Sequence, residues 1–176
     1  MIILLFKCLV FYVLTVRQLV SPSTFSGLTA RIADPKIVEN LQLSLVERNG
    51  VKKLNGTYAQ NVVFQSIDAQ LTIDLEHANS KRTRFLDLKF DVCNFFDGKY
   101  DNNQVLRVFL KGLRKSKTFR QKCPIPAHHL FWVDMLDMGA LYTGYLPNVS
   151  FFANFNMYNK GHLYIQVVVN GFSKLK

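Results

Sequence analysis

Hydrophobic and polar residues alternate strictly along several segments of the chain. In Asp68–Glu76, alternate residues from Ala69 to Leu75 are apolar and the intervening ones are polar. Residues 86–92 and 41–45 repeat this pattern, and residues 57–65 form a further candidate strand. A period of two with one apolar face is typical of antiparallel strands that cover a core on one side only. The pattern therefore predicts a mainly β protein.

The C-terminal part of the chain has the pattern of a β-hairpin. Residues 150–158 place alternate apolar side chains on one face, and residues 162–172 do the same. Between them, Asn159-Lys160-Gly161 offers a turn with a glycine for positive φ. We expect the last two strands to pair through this turn.

One segment, residues 103–115, has a helical period instead. Leu106, Phe109, Leu110 and Leu113 stand at i, i+3, i+4 and i+7, which indicates an amphipathic helix. The basic residues fall off this stripe and define a basic face: Arg107, Lys111, Arg114 and Lys115. This face is either an ordinary solvated helix surface or a contact for anionic headgroups or an acidic partner.

Residues 1–23 have the three parts of a secretory signal peptide. A short stretch ending at Lys7 precedes the apolar residues 8–16, and a polar exit contains the small residues Ser21 and Ser23. The alternatives are a buried strand or an uncleaved anchor, but an anchor needs about 20 apolar residues. We predict a signal peptide at 1–23, a single domain at 24–176, and a secreted, extracellular protein.

The partners that the net charge indicates depend on this compartment. The formal net charge is +10, and loss of residues 1–23 would remove two cations and leave +8. A cytosolic protein with this balance would suggest nucleic acid. Outside the cell we expect no nucleic acid, and acidic lipid, glycan or protein surfaces become the better partners.

Cysteines and glycosylation sequons fit secretion. Cys8 lies in the signal segment, so Cys93 and Cys123 remain as an even pair, which in an oxidising compartment most simply forms a disulfide. The tripeptides that begin at Asn55 and Asn148 are acceptor sequons for N-linked glycans. We predict one disulfide and two glycosylation sites.

The sequence carries none of several common catalytic signatures. The chain has no G-x-S-x-G elbow, P-loop, H-E-x-x-H or C-x-x-C motif. His128 and His129 are adjacent, but neighbours on a strand point to opposite faces and do not readily share a ligand. We therefore predict no enzyme, no catalytic residues, no metal site and no cofactor.

Short motifs resemble a known family. Residues 91–96 (DVCNFF), followed by an amphipathic helix and then Cys123-Pro124, resemble a fast-diverging family of small secreted insect proteins of unknown function. That family is expanded in flies, includes the CheB chemosensory proteins and is related to the ML lipid-recognition superfamily. Residues 144–147 (GYLP) and 150–158 fit its closing hairpin, and residues 55–93 fit its paired central strands.

The resemblance implies a two-sheet, immunoglobulin-like (ML-type) antiparallel β-sandwich with one amphipathic helix. In ML relatives the sheets part to hold a lipid. We thus predict a monomeric secreted binding protein for an apolar lipid, hydrocarbon or pheromone-like ligand, with chemosensing as one use. The residues predicted to face this ligand are Leu71, Ile73, Phe90, Phe109, Phe155 and Ile165.

The alternative hypothesis is an extracellular interaction domain with a filled core. It would use the basic helix face to bind a membrane receptor, a channel or a membrane surface. The two hypotheses differ in one physical quantity, because an apolar void of several hundred Å³ between the sheets favours ligand binding and tight packing opposes it.

Overall fold

A computed structural model describes residues 24–78, 80–114, 122–136 and 149–173. Three sequence predictions concern residues outside these ranges. They are the signal peptide at 1–23, the contribution of Lys115 to the basic face and the glycosylation of Asn148, and all three stay predictions.

Eight strands and two helices make up the described chain. The strands are β1 (Thr24–Ile32), β2 (Val38–Arg48), β3 (Val51–Gln60), β4 (Asp68–Glu76), β5 (Arg82–Asp91), β6 (Phe131–Leu136), β7 (Val149–Asn159) and β8 (His162–Ser173). The helices are α1 (Val92–Phe96) and α2 (Gln104–Arg114), both between β5 and β6.

The strands form two antiparallel sheets. One sheet has five strands in the order β1-β8-β7-β4-β5, and the other has three in the order β2-β3-β6. Apolar side chains of both sheets pack against one another in a single core. The predicted fold class, a mainly β two-sheet sandwich, is confirmed. Within the described ranges, no helix is long and apolar enough to cross a membrane.

Two tight hairpins set the register of both sheets. Lys160 and Gly161 connect β7 to β8 with φ of 49° and 80°, which confirms the predicted C-terminal turn. Asn49 and Gly50 connect β2 to β3 in the same way, with φ of 54° and 72°. Positive φ at both loop residues is the two-residue turn that matches strand twist.

The Asn49-Gly50 turn corrects one predicted strand. We expected a strand over 57–65, whereas β3 starts at Val51 directly after the turn and ends at Gln60. Beyond it, Phe64 makes only an isolated bridge with Ile125. The apolar residues 62–64 had extended the apparent strand, but they follow the end of the ladder.

The end of β5 corrects a second predicted strand, the one over residues 86–92. Period two had continued the strand to Val92, but Asp91 caps a short helix there, since its carboxylate accepts the Asn94 N–H at 2.6 Å. The backbone N–H of Asp91 donates to the Tyr100 hydroxyl at 3.1 Å. The local capping bond thus stops the strand. Within the described chain, the short helix α1 therefore accompanies the predicted amphipathic helix.

The longer helix, α2, agrees with the predicted segment to within a residue at each end. Asn103 caps it, accepting the Leu106 N–H at 3.1 Å. Leu106, Leu110 and Leu113 are buried, so the predicted apolar stripe faces the core. Propensity alone would leave so short a helix marginal in water, and burial of this stripe stabilises it.

A disulfide joins the two ends of the helical segment. Cys93, in α1, is bonded to Cys123 with the two Cα atoms 5.7 Å apart. This is the pairing predicted from the cysteine count. It joins the end of β5 to the chain that follows α2, and it closes a loop that contains both helices.

Candidate functional site: an apolar cavity between the sheets

A cavity lies between the two sheets, and the five-stranded sheet forms one wall. Leu71, Phe155 and Val167 are paired in one row across β4, β7 and β8. The next row brings Met157 and Ile165 to the wall. Because directly paired residues share a sheet face, these rows present a continuous apolar surface.

The three-stranded sheet forms the facing wall. Its contributions come from all three strands: Leu41, Leu43, Leu54, Tyr58, Phe131 and Val133. The rings of Tyr58 and Phe131, on neighbouring strands, are 5.4 Å apart between centroids. Each wall thus consists of the inward-facing side chains of its strands, which alternate with outward-facing ones along each strand.

Aromatic residues of the helical segment close one side. Phe95 and Phe96 of α1 and Phe109 and Leu113 of α2 all line the cavity. The Phe95 ring is 5.8 Å from Phe109 and 5.4 Å from Phe90, centroid to centroid. The disulfide-closed loop therefore supplies part of the cavity wall, and Phe95 links it to β5.

The cavity has a volume of about 200 Å³ and is partly open. That is below the roughly 300–1,000 Å³ of typical pockets for drug-sized ligands. It is above the roughly 150 Å³ of an engineered apolar cavity that binds benzene. The expected separation of the sheets is present, but the space suits one small apolar group and is too small for several acyl chains.

Two packed aromatic pairs mark the limits of the hollow region. Phe25 and Phe151 meet edge to face at 5.8 Å, and Phe64 stacks on Tyr164 at 5.3 Å. All four side chains are at most 2% exposed, and none of them lines the cavity. The core is therefore filled around these pairs and hollow between the central rows of strands.

Of the described residues in the wall, Tyr58 is the one with a polar side chain, and its hydroxyl is not exposed to the cavity. The hydroxyl oxygens of Tyr58 and Tyr164 are both buried, and among the described residues neither has a partner at ordinary hydrogen-bond geometry. Burial raises the pKa of both hydroxyls. The nearby Tyr164 hydroxyl partly offsets this rise in the pKa of Tyr58, whereas Tyr58 adds to that of Tyr164. Both groups are therefore neutral at physiological pH.

The structure brings together five of the six residues predicted to face a ligand. Leu71, Phe90, Phe109, Phe155 and Ile165 lie in the wall. Ile73 does not, because its side chain is 1% exposed and packed in the filled core. Alternation places Leu71 and Ile73 on the same face, but only Leu71 borders empty space.

Sequence reasoning missed the facing wall and α1. Leu41 and Leu43 were recognised as a strand face without being assigned to a site. Phe131 and Val133 had no assignment. Pairing of β3 with β6, which are about 75 residues apart, decides their position. The Asn49-Gly50 signal could have located Leu54 and Tyr58 on an inward face, but no local pattern identifies the sheet opposite.

The basic face of α2 points away from the core. Arg107, Lys111 and Arg114 are exposed and stand at i, i+4 and i+7, so they form one stripe. One of them reaches the cavity wall, since Arg114 Nη2 donates to the backbone carbonyl of Phe96 at 3.5 Å.

The adjacent histidines have separate surroundings. His128 Nδ1 is 2.8 Å from Glu39 Oε2, and the His129 ring lies edge-on to Phe131 at 5.1 Å. Among the described residues, no three His, Cys, Asp or Glu side chains are grouped so as to hold a metal ion.

The sequon at Asn55 lies on the outer side of the three-stranded sheet. Asn55 is paired with the exposed Ser44, and the Thr57 hydroxyl accepts the Asn40 amide at 2.8 Å. The neighbouring Leu54 faces the cavity. A glycan on Asn55, which stays a prediction, would therefore project away from the cavity.

These features define a two-sheet β-sandwich with an apolar cavity in its core. The chain belongs to the family described as "Protein of unknown function (DUF1091)", whose model matches residues 67–163, more than half of the chain. The matched region runs from the residue before β4 into β8 and includes both helices. No curated protein matches the chain.

Two solved structures show a distant likeness. Chicken MD-1 complexed with lipid IVa has a TM-score of 0.43 at 10% identity, with 87% of this chain and 98% of that chain covered. A Niemann-Pick type C2 protein from Japanese carpenter ant has a TM-score of 0.32 at 13% identity, with 86% and 92% covered.

Proposed function

We propose that this protein is a secreted carrier that binds one small apolar molecule, a lipid, hydrocarbon or pheromone-like compound, between its two sheets. The cavity is the observation that carries the proposal. Apolar side chains of both sheets and both helices surround about 200 Å³ of space. Filling such a void restores dispersion contacts that its lining otherwise lacks.

Extracellular chemosensing is the setting we propose for this carrier. The sequence resemblance to the CheB-containing family motivates it, and so does the signal-like segment 1–23. The Cys93–Cys123 disulfide fits an oxidising compartment. We further propose that residues 24–176 act as a single monomeric domain, without catalytic residues.

A chain-length series tests binding in the cavity. We expect octan-1-ol to bind delipidated protein roughly fifteenfold more tightly than hexan-1-ol, because each buried methylene contributes about 0.8 kcal/mol. Isothermal titration calorimetry measures both constants. Native mass spectrometry of the secreted protein can reveal a ligand that co-purifies.

Ala153→Phe is the variant that should block binding. Ala153 lines the cavity, and the substitution introduces a ring the size of benzene, which alone needs a cavity of about 150 Å³. Ala30→Phe is the matched control, since Ala30 is exposed on β1 and does not line the cavity. Absence of octan-1-ol binding by the wild-type protein, or equal binding by a folded Ala153→Phe variant, would contradict the proposal.

A second candidate function follows from the stripe on α2. Three exposed cations in line suit an anionic membrane surface or an acidic receptor or channel. We expect Lys111→Glu together with Arg114→Glu to weaken co-sedimentation with vesicles that contain phosphatidylserine. Unchanged co-sedimentation at low salt would count against this function.

A further inference from the structure

Three exposed cations, Arg107, Lys111 and Arg114, stand on α2. Phe109 and Leu113 of the same helix line the cavity. Among the described residues, no carboxylate lies within 4 Å of Arg107, Lys111 or Arg114. These three charges are therefore not neutralised by ion pairs with described residues.

Arg114 is the cation that the structure ties to the cavity. It follows Leu113, which lines the cavity, and its guanidinium donates to the carbonyl of Phe96, which lines it too. A guanidinium has five N–H donors. The contact with Phe96, at 3.5 Å, uses one of them and places the group beside the junction of α1 and α2, so the other donors can pair with an anion.

The cavity itself excludes charge. Among the residues that the structure describes, Tyr58 is the one ionisable side chain in its wall, and the Tyr58 hydroxyl is buried and kept neutral by its raised pKa. An ionised carboxylate or phosphate inside would lose its hydration without compensation. Any charged group on a ligand must therefore stay outside the wall, and Arg114 is a cation that lies beside it.

We propose that Arg114 is an anion-binding position at the border of the cavity, and that the preferred ligand is a single-chain anionic amphiphile. Its hydrocarbon chain would occupy the cavity, and its carboxylate, sulfate or phosphate would pair with the guanidinium. This inference rests on the proposed function, since it assumes that a chain enters the cavity. It adds the ligand class and the orientation of the bound molecule.

Nonanoate and octan-1-ol form the central comparison, because they share an eight-carbon alkyl group and differ in charge. We expect the wild-type protein to bind nonanoate about fivefold more tightly than octan-1-ol at low salt, the effect of an exposed ion pair. Arg114→Gln should remove this preference, so that the two ligands bind with equal affinity. Arg107→Gln, on the same stripe two helical turns from Arg114, should retain the preference.

Two further measurements distinguish the headgroup of an amphiphile from a free anion as the ligand of Arg114. Inorganic phosphate alone should show no measurable binding, and the nonanoate preference should shrink in 0.5 M salt. The inference is overturned if nonanoate binds no better than octan-1-ol, if Arg114→Gln retains the preference, or if phosphate alone binds as tightly as nonanoate. Failure of octan-1-ol to bind at all would instead overturn the proposed function.

Discussion

Two rows of the same strand pair, four residues apart, have different surroundings. In one row Leu75 is paired with Phe151, which is completely buried and meets Phe25 edge to face. In the other row Leu71 is paired with Phe155, and both line the cavity. All four side chains follow the same inward alternation on β4 and β7. The difference is in what faces them across the core.

This contrast separates two properties that are often treated as one. The two-residue period of apolar positions indicates which residues of a strand face inward. It does not state whether the space opposite is filled, because that depends on another sheet, an edge strand or a helix. Here Phe25 of β1 fills the space beside one row, whereas the other row faces the hollow region.

Truncating an aromatic side chain in each row should give the largest difference. We expect Phe151→Ala to lower the free energy of unfolding by about 3–5 kcal/mol, the cost of a new cavity in a packed core. Phe155→Ala should cost about 1–2 kcal/mol, because its ring already lacks contact partners on one side. Urea titrations with similar m-values measure both changes. Equal losses in the two variants would mean that the centre is packed like the rest of the core.

Removing the disulfide tests how the hollow region is held together. Replacing Cys93 and Cys123 with serine frees a loop with a sequence separation of 30 residues, and we expect a loss of about 3–4 kcal/mol in the free energy of unfolding.

Hydrogen exchange shows where this loss appears. The amides of α2 should exchange faster in the double variant, while those of the β7–β8 hairpin should keep their ranking within the protein. The reduced wild-type protein provides a control for the substitutions themselves. A uniform increase in exchange over both elements would argue against a local role in closing the cavity.

The buried hydroxyls predict a small effect at neutral pH and a larger one at alkaline pH. Since the Tyr164 hydroxyl has no hydrogen-bond partner among the described residues, Tyr164→Phe should change stability by less than about 1 kcal/mol at pH 7. Burial raises the folded-state pKa of Tyr164 above the ordinary value of 10.0. Below pH 10 the hydroxyl is neutral in both the folded and the unfolded state, so it does not change the free energy of unfolding. Above pH 10 the unfolded state ionises first, and the free energy of unfolding falls as the pH rises.

The variant should escape part of this loss. Each tyrosine with a raised pKa contributes a slope of up to about 1.4 kcal/mol per pH unit above its unfolded pKa. Unfolding titrations between pH 9 and pH 11 should thus show a shallower decline for Tyr164→Phe than for the wild-type protein. Phe64→Leu, which changes the stacked neighbour and keeps the hydroxyl, should retain the steeper decline.

The sequence predicted local features well and misjudged their ends. The C-terminal hairpin was correct because Gly161 and the alternation on both sides agree. The predicted strand ran one residue too far, to Val92, because an apolar residue continued the period, while the capping carboxylate of Asp91 ended the strand. The start of β3 was missed although Asn49-Gly50 is a strong turn signal.

The candidate site was only half accessible to such reasoning. Phe90 and Phe155 were selected by alternation alone, and both lie in the wall. Ile73 was selected by the same rule and lies in the filled core. Phe131 and Val133 were not selected, because the ladder that places them pairs strands far apart in the chain.

By itself, the sequence determined the inward faces of the strands, the apolar and cationic stripes of α2, and the pair of cysteines. These features depend on backbone periods and on residue counts, which are local or additive. Only the tertiary structure decided that the sheets part at their centre and that Arg114 lies against Phe96. Both depend on the distances between elements that are far apart in the sequence, and those distances result from the packing of the whole core.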